Sequence, residues 1–231
     1  MKRVIQEPEH IRKLRCEEIL RESHDADTES VKFRTSDSDL IGRYHPARKK
    51  NPKAAAVWVG GAGGGLDGPA RALYAAACKE LQGKNVAGLR LHYRYPNHLE
   101  ECVLDTLLGV EFLANEGYEH VALVGHSFGG AVVITAGAVS PRVKAVVPMS
   151  TQTYGVELAP ELSPRPLLLI HGTKDEILPD RCSKYVYGIA NDPKELRLFE
   201  GARHGLDEAR EEILELLVTW ISEQLSRAEA G

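Results

Sequence analysis

Short apolar runs alternate with longer amphipathic stretches along most of the chain. Residues 54–59, 86–91, 121–124, 143–147 and 167–170 are each apolar almost throughout and bounded by Gly, Pro or polar residues, as strands buried on both faces are. Between them, residues 69–81, 99–115, 129–139 and 180–189 carry helical spacing. Strands hidden on both sides need helices on both faces, so the alternation specifies an α/β fold built on a mostly parallel, doubly wound sheet. A last strand at 196–199 leads to a helix whose Leu206, Ala209, Ile213, Leu216, Leu217 and Trp220 share one face.

The first part of the chain follows a different pattern. Residues 31–34 and 40–44 alternate about the polar turn Ser36-Asp37-Ser38-Asp39, the signature of an antiparallel hairpin. Residues 6–23 are charged, with Ile11, Leu14, Ile19 and Leu20 in a smeared stripe that predicts an appended helix. The expected organisation is a helical extension over residues 1–30 and a single α/β domain over 31–231. The segment 151–165 holds Pro160 and Pro164 and is too short for a large lid, so minimal or no cap is expected.

Composition narrows the class further. The 231 residues are 43% hydrophobic and 27% charged, an ordinary globular mixture with enough apolar mass for one core. A net charge of −4 leaves no basic excess to neutralise phosphates, which argues against nucleic acid as a partner. Cys16, Cys78, Cys102 and Cys182 form no C-x-x-C pair, and each lies in a stretch that reads as helical; free thiols are expected. No apolar leader segment follows Met1-Lys2-Arg3, and no run approaches the roughly 18 apolar residues of a membrane span. A cytoplasmic location is expected, without membrane attachment; the oligomeric state is left open.

Candidate chemistry begins where the strand 121–124 meets Gly125-His126-Ser127-Phe128-Gly129-Gly130 and a helix follows. A G-x-S-x-G serine between strand and helix sits on a strained turn that lifts its hydroxyl above the sheet. Residues two before and two after the serine approach closely there, so glycine at 125 and 129 is a steric requirement. The following helix is apolar nearly all round and points its positive dipole end at the serine.

A serine hydroxyl needs a base to take its proton. In chains with this elbow the acid and then the base follow the serine, and downstream of Ser127 only His171 and His204 remain. His171 ends an apolar strand and reads as a plug bonded at the strand end. His204 lies in Gly201-Ala202-Arg203-His204-Gly205, between the last strand and the last helix, and is the candidate base. Asp175 follows the penultimate strand and is the candidate acid. Asp180 reads instead as the N-cap of the next helix, and adjacent Glu176 stays open as an alternative acid.

Gly60-Gly61-Ala62-Gly63-Gly64-Gly65 follows the strand ending at Val59, the place from which one oxyanion donor comes. The amides of Ala62 and Phe128 are the candidate pair. The glycines also align as G-x-G-x-x-G on Gly63, Gly65 and Gly68, but no Asp or Glu lies between Glu80 and Glu100 to bind a ribose, and no Lys-Ser or Lys-Thr follows. No cofactor and no metal are expected.

From Val31 to the C-terminal helix the chain resembles the α/β-hydrolase superfamily, through Gly-His-Ser-Phe-Gly-Gly at 125–130, His-Gly-Thr-Lys-Asp at 171–175 and Arg-His-Gly at 203–205. It looks like the small dienelactone-hydrolase-like and esterase-like members. Many relatives carry His-Gly before the oxyanion loop, where this chain has Gly60, and dienelactone hydrolases proper carry cysteine at the elbow. The resemblance implies a serine hydrolase, with Ser127, Asp175 and His204 catalytic, acting on a small carboxylic ester. An open site lined by Gly61, Leu66, Tyr93, Tyr95, Phe128, Tyr154, Ile177 and Leu178 is expected. A non-catalytic scaffold binding a partner, or the same triad acting on thioesters, amides or in perhydrolysis, are the alternatives.

Overall fold

The computed structural model describes residues 14–48 and 51–230. Nine strands form one sheet in the order β1-β2-β3-β5-β4-β6-β7-β8-β9. The strands are β1 Cys16–Ser23, β2 Glu29–Thr35, β3 Asp39–His45, β4 Ala54–Val59, β5 Val86–His92, β6 His120–His126, β7 Val143–Met149, β8 Leu167–Gly172 and β9 Lys194–Phe199. Pairing is antiparallel from β1 through β3 to β5 and parallel among the remaining neighbours.

Helices α1 Pro69–Gly83 and α5 Arg210–Ala230 cover one face; α2 Leu99–Asn115, α3 Phe128–Val139 and α4 Arg181–Ile189 cover the other. Alternate residues of each central strand feed the two cores. On β4, Ala55, Val57 and Val59 pack toward α2 and α3, while Ala56 and Trp58 pack toward α1 and α5. This is the mostly parallel, doubly wound arrangement that the apolar runs specify, with the antiparallel hairpin at one side.

Two expectations are corrected at the N-terminal side. Residues 16–23, expected to be helical, form the edge strand β1, and Cys16 with them is on a strand; residues 6–13 of that expected helix lie outside the described residues. Tertiary contacts override the weak helical stripe. The backbone of β1 pairs along β2, with Ile19 opposite Phe33. The Arg21 guanidinium lies 5.4 Å from the Tyr44 ring centre and 5.7 Å from that of Phe112. Cys16, Cys78, Cys102 and Cys182 are all free thiols. No helix among the described residues is long and apolar enough to cross a membrane.

Between β7 and β8 the only helical element is a single turn, Ala159–Leu162, so no cap domain is built there. Arg165 fastens this connection to the end of α3: its guanidinium donates to the carbonyls of Gly137, Ala138 and Ser140, and also to those of Glu161 and Leu162. These acceptors include α3 carbonyls that have no intrahelical partner.

Candidate active site

The elbow is formed as the glycines require. Ser127, between β6 and α3, holds φ 58° and ψ −121°, a strained backbone for a residue with a side chain. Its amide donates to Met149 O at 2.8 Å, tying the turn to the end of β7. A Cβ at Gly125 would sit 2.1 Å from Gly129 O, the crowding expected across the turn. A Cβ at Gly129 would meet Gly60 O at 2.3 Å, so the second glycine yields to the oxyanion loop and not to its partner in the turn.

His204 Nδ1 donates to Asp175 Oδ2 at 2.8 Å, with the carboxylate fully buried and the imidazole 17% exposed. The other carboxylate oxygen, Oδ1, accepts from the amides of Ile177 at 2.9 Å and Leu178 at 2.8 Å. Asp175 therefore closes a turn and holds the imidazole at once. Burial by itself pushes the Asp175 carboxyl up; the bonds from His204, Leu178 and Ile177 outweigh it and hold the group below its ordinary value. Glu176 reaches only the His204 amide, at 3.5 Å. Asp180 is the N-cap residue of α4, as expected, but its side chain makes no capping bond and pairs with Lys184 at 2.6 Å.

Ser127 Oγ and His204 Nε2 make no hydrogen bond among the described residues, but the loop of His204 is fixed against the elbow. His126 Nε2 donates to His204 O at 2.8 Å, and the two imidazole rings lie 4.8 Å apart. Ser150 Oγ donates to the same carbonyl at 3.3 Å. Burial lowers the His126 pKa to about 4, so the ring is neutral.

The glycine loop lies against Ser127: a Cβ at Gly61 would be 3.4 Å from Ser127 Cβ. The Ala62 amide has no acceptor among the described residues, and Phe128, first residue of α3, has an amide with no intrahelical acceptor. Three side chains hold the loop. Tyr74 donates to Val59 O at 2.9 Å, Tyr93 donates to Gly60 O at 3.3 Å, and the Gly65 amide donates to His92 Nδ1 at 2.8 Å.

Of the expected lining residues, Tyr154 and Ile177 are exposed, at 71% and 64%, on loops that leave the same end of the sheet as Ser127. Tyr95 is partly open, while Leu66 and Leu178 are half-buried. Tyr93 and Phe128 are corrected: both rings are buried and packed edge-to-face with centres 6.3 Å apart, and the Tyr93 hydroxyl holds the loop.

Sequence reading misses three supports: His126 on the base loop, His92 on the glycine loop, and the contact of His171 with Asp175, at 3.1 Å. A signal for the last was present in the spacing. His171 and Asp175 stand four residues apart across a tight turn, close enough to meet.

Residues 81–230, more than half of the chain, match the model of the dienelactone hydrolase family. No curated protein matches. Among solved structures, Est1E from Butyrivibrio proteoclasticus superposes with a TM-score of 0.74 at 19% identity, covering 85% of this chain and 99% of that one. A dienelactone hydrolase from Anabaena variabilis gives 0.74 at 17% identity, with 90% and 99% covered. An alpha-beta serine hydrolase homologue from Coxiella burnetii gives 0.69 at 18% identity, with 85% and 99% covered. These likenesses show an α/β-hydrolase fold, and the family match over residues 81–230 places the chain: it belongs to the dienelactone hydrolase family.

Proposed function

We propose that the chain is a serine hydrolase that cleaves a small carboxylic ester through an acyl-enzyme on Ser127. The observation that carries this reading is the 2.8 Å bond from His204 Nδ1 to buried Asp175, on a loop that His126 and Ser150 hold against the elbow. With Nδ1 donating to the carboxylate, Nε2 is the free nitrogen and carries the lone pair that a serine proton needs.

Ser127 Oγ attacks the ester carbonyl as His204 Nε2 takes its proton. The amides of Ala62 and Phe128 donate to the developing oxyanion. His204 returns the proton to the leaving alcohol, and a water activated in the same way releases the acid and restores the serine. Catalytic hydrogen bonds often tighten only with substrate in place, so the open Ser127 hydroxyl is compatible with this sequence of steps. The short β7–β8 connection and the exposed Tyr154 and Ile177 favour a small acyl group, alone or displayed on a larger molecule.

Labelling with a fluorophosphonate probe tests the nucleophile: the intact chain should react and Ser127→Ala should not. A p-nitrophenyl ester series tests the acyl group. Acetate and propionate should be turned over better than long chains, and a strong preference for long chains would refute the small-acyl assignment.

A further inference from the structure

His171 is fully buried and makes three contacts that fix its protonation. Its Nε2 lies 2.8 Å from Leu178 O and 3.1 Å from Asp175 Oδ2, and its Nδ1 lies 2.6 Å from Ser183 Oγ. A carbonyl can only accept, so Nε2 carries the hydrogen and shares it between Leu178 O and the carboxylate. Nδ1 is then bare and accepts the Ser183 hydroxyl. Burial lowers the His171 pKa, which keeps the ring in this neutral form. The oxygen that receives the His204 N–H therefore faces a second imidazole N–H.

We propose that His171, oriented by Ser183, is a positioning residue that tunes how strongly Asp175 holds the protonated form of His204. A donor on Asp175 Oδ2 draws charge from the oxygen that faces His204, and so weakens the hold of that oxygen on an imidazolium. Removing the donor concentrates the charge and favours the protonated base. The acid limb of the kcat/KM profile must then move to higher pH. The proposal rests on the acyl-enzyme reading for its catalytic meaning; the hydrogen-bond coupling does not depend on turnover.

The other charged or titratable groups near the pair are His126 against the His204 ring, Glu176 at the His204 amide, the chain neighbours Lys174 and Arg203, and Asp180 and Cys182 at the start of α4. None of them is altered in the variants below, so a displaced limb reports the lost donor.

The experiment compares His171→Leu, which fills the space without a donor, with His171→Gln, whose amide supplies one. The acid limb should move up by about 0.5–1 pH unit in His171→Leu and return toward the parent position in His171→Gln. An unmoved limb in His171→Leu, or a glutamine variant that behaves like the leucine one, overturns the proposal. Should His171→Leu fail to fold, Ser183→Ala is expected to move the limb in the same direction by less, and an unmoved limb there counts against it equally. NMR titration of the His204 ring in Ser127→Ala chains, with and without the His171 substitutions, separates the two readings. A displaced midpoint supports the coupling even if the chain proves not to be an esterase, and coincident midpoints overturn it.

Discussion

The ring of His126 donates its Nε2 hydrogen to the backbone oxygen of His204 at 2.8 Å. The residue just before Ser127 thus fixes the loop that carries His204. Removing that donor should cost activity with little change in substrate binding. His126→Leu is expected to lower kcat by about 10–100-fold, the scale expected for misplacing a catalytic group by about an ångström. His126→Gln should recover part of the loss. Steady-state kinetics on a short-chain ester checks this, and an unchanged kcat would detach the tether from catalysis.

Substitutions of the three catalytic candidates should fall in a fixed order. Ser127→Ala and His204→Ala should each lower kcat by about 10⁶, and Asp175→Asn by about 10⁴. Double variants should lose little more than the worse single variant, because the groups act as a unit. A loss below tenfold at any one position would remove that residue from its role.

Histidines that the fold keeps neutral, His126 and His45 as well as His171, make stability depend on pH in a calculable direction. Burial lowers His126 and, with the neighbouring Arg90, His45, each to about 4 from an ordinary value near 6.5. Both are neutral in the fold, whereas in the unfolded chain they take up protons below about 6.5. Their contribution is complete above that pH and is lost as pH falls toward about 4, by up to about 1.4 kcal/mol per pH unit for each ring. Urea midpoints measured from pH 7 to 4 should fall, and the double variant His45→Gln, His126→Gln should flatten the fall. Parallel curves would disprove the attribution.

Gly129 is the point where elbow and oxyanion loop collide if a side chain is added. The blocking atoms are backbone, Gly60 O at 2.3 Å and Val59 O at 3.0 Å, so they cannot swing aside. Gly129→Ala should displace the loop and lower kcat by about 10²–10³, the scale of one lost oxyanion donor. Kinetics and a melting curve together check it; a near-parent kcat in folded protein would put the oxyanion donors elsewhere.

An ion cluster joins the end of β5 to α2. Arg94 and Asp105 are fully buried, and Asp105 also accepts the Arg94 amide at 2.8 Å while Glu101 takes the guanidinium at 2.9 Å. Asp105→Ala leaves a buried cation short of a partner and should destabilise the fold by about 3–5 kcal/mol. Denaturant unfolding measures this directly.

Short apolar runs made the parallel strands readable, and the helical spacing between and after them all five helices, because a strand such as 54–59, buried on both faces, has few alternatives. The elbow was readable for a steric reason, glycine at 125 and 129 about a serine. Local pattern failed where distant contacts decide. Residues 16–23 are a strand because β2 is there to pair with. Tyr93 and Phe128 turn inward, their rings packed on each other and the Tyr93 hydroxyl on Gly60 O, which no spacing reveals. The sharing of Asp175 between two imidazoles depends on where β8 and the base loop meet, some thirty residues apart in the chain.

The connection fastened by Arg165 has a kinetic consequence. With five guanidinium bonds to main-chain carbonyls and Leu162 buried, it is a strut that does not swing. On the proposed reading this connection would not act as a gate over Ser127, and selectivity would fall to the relief around it. Groups borne on bulky carriers would then gain the same access as free molecules, limited by how far they project.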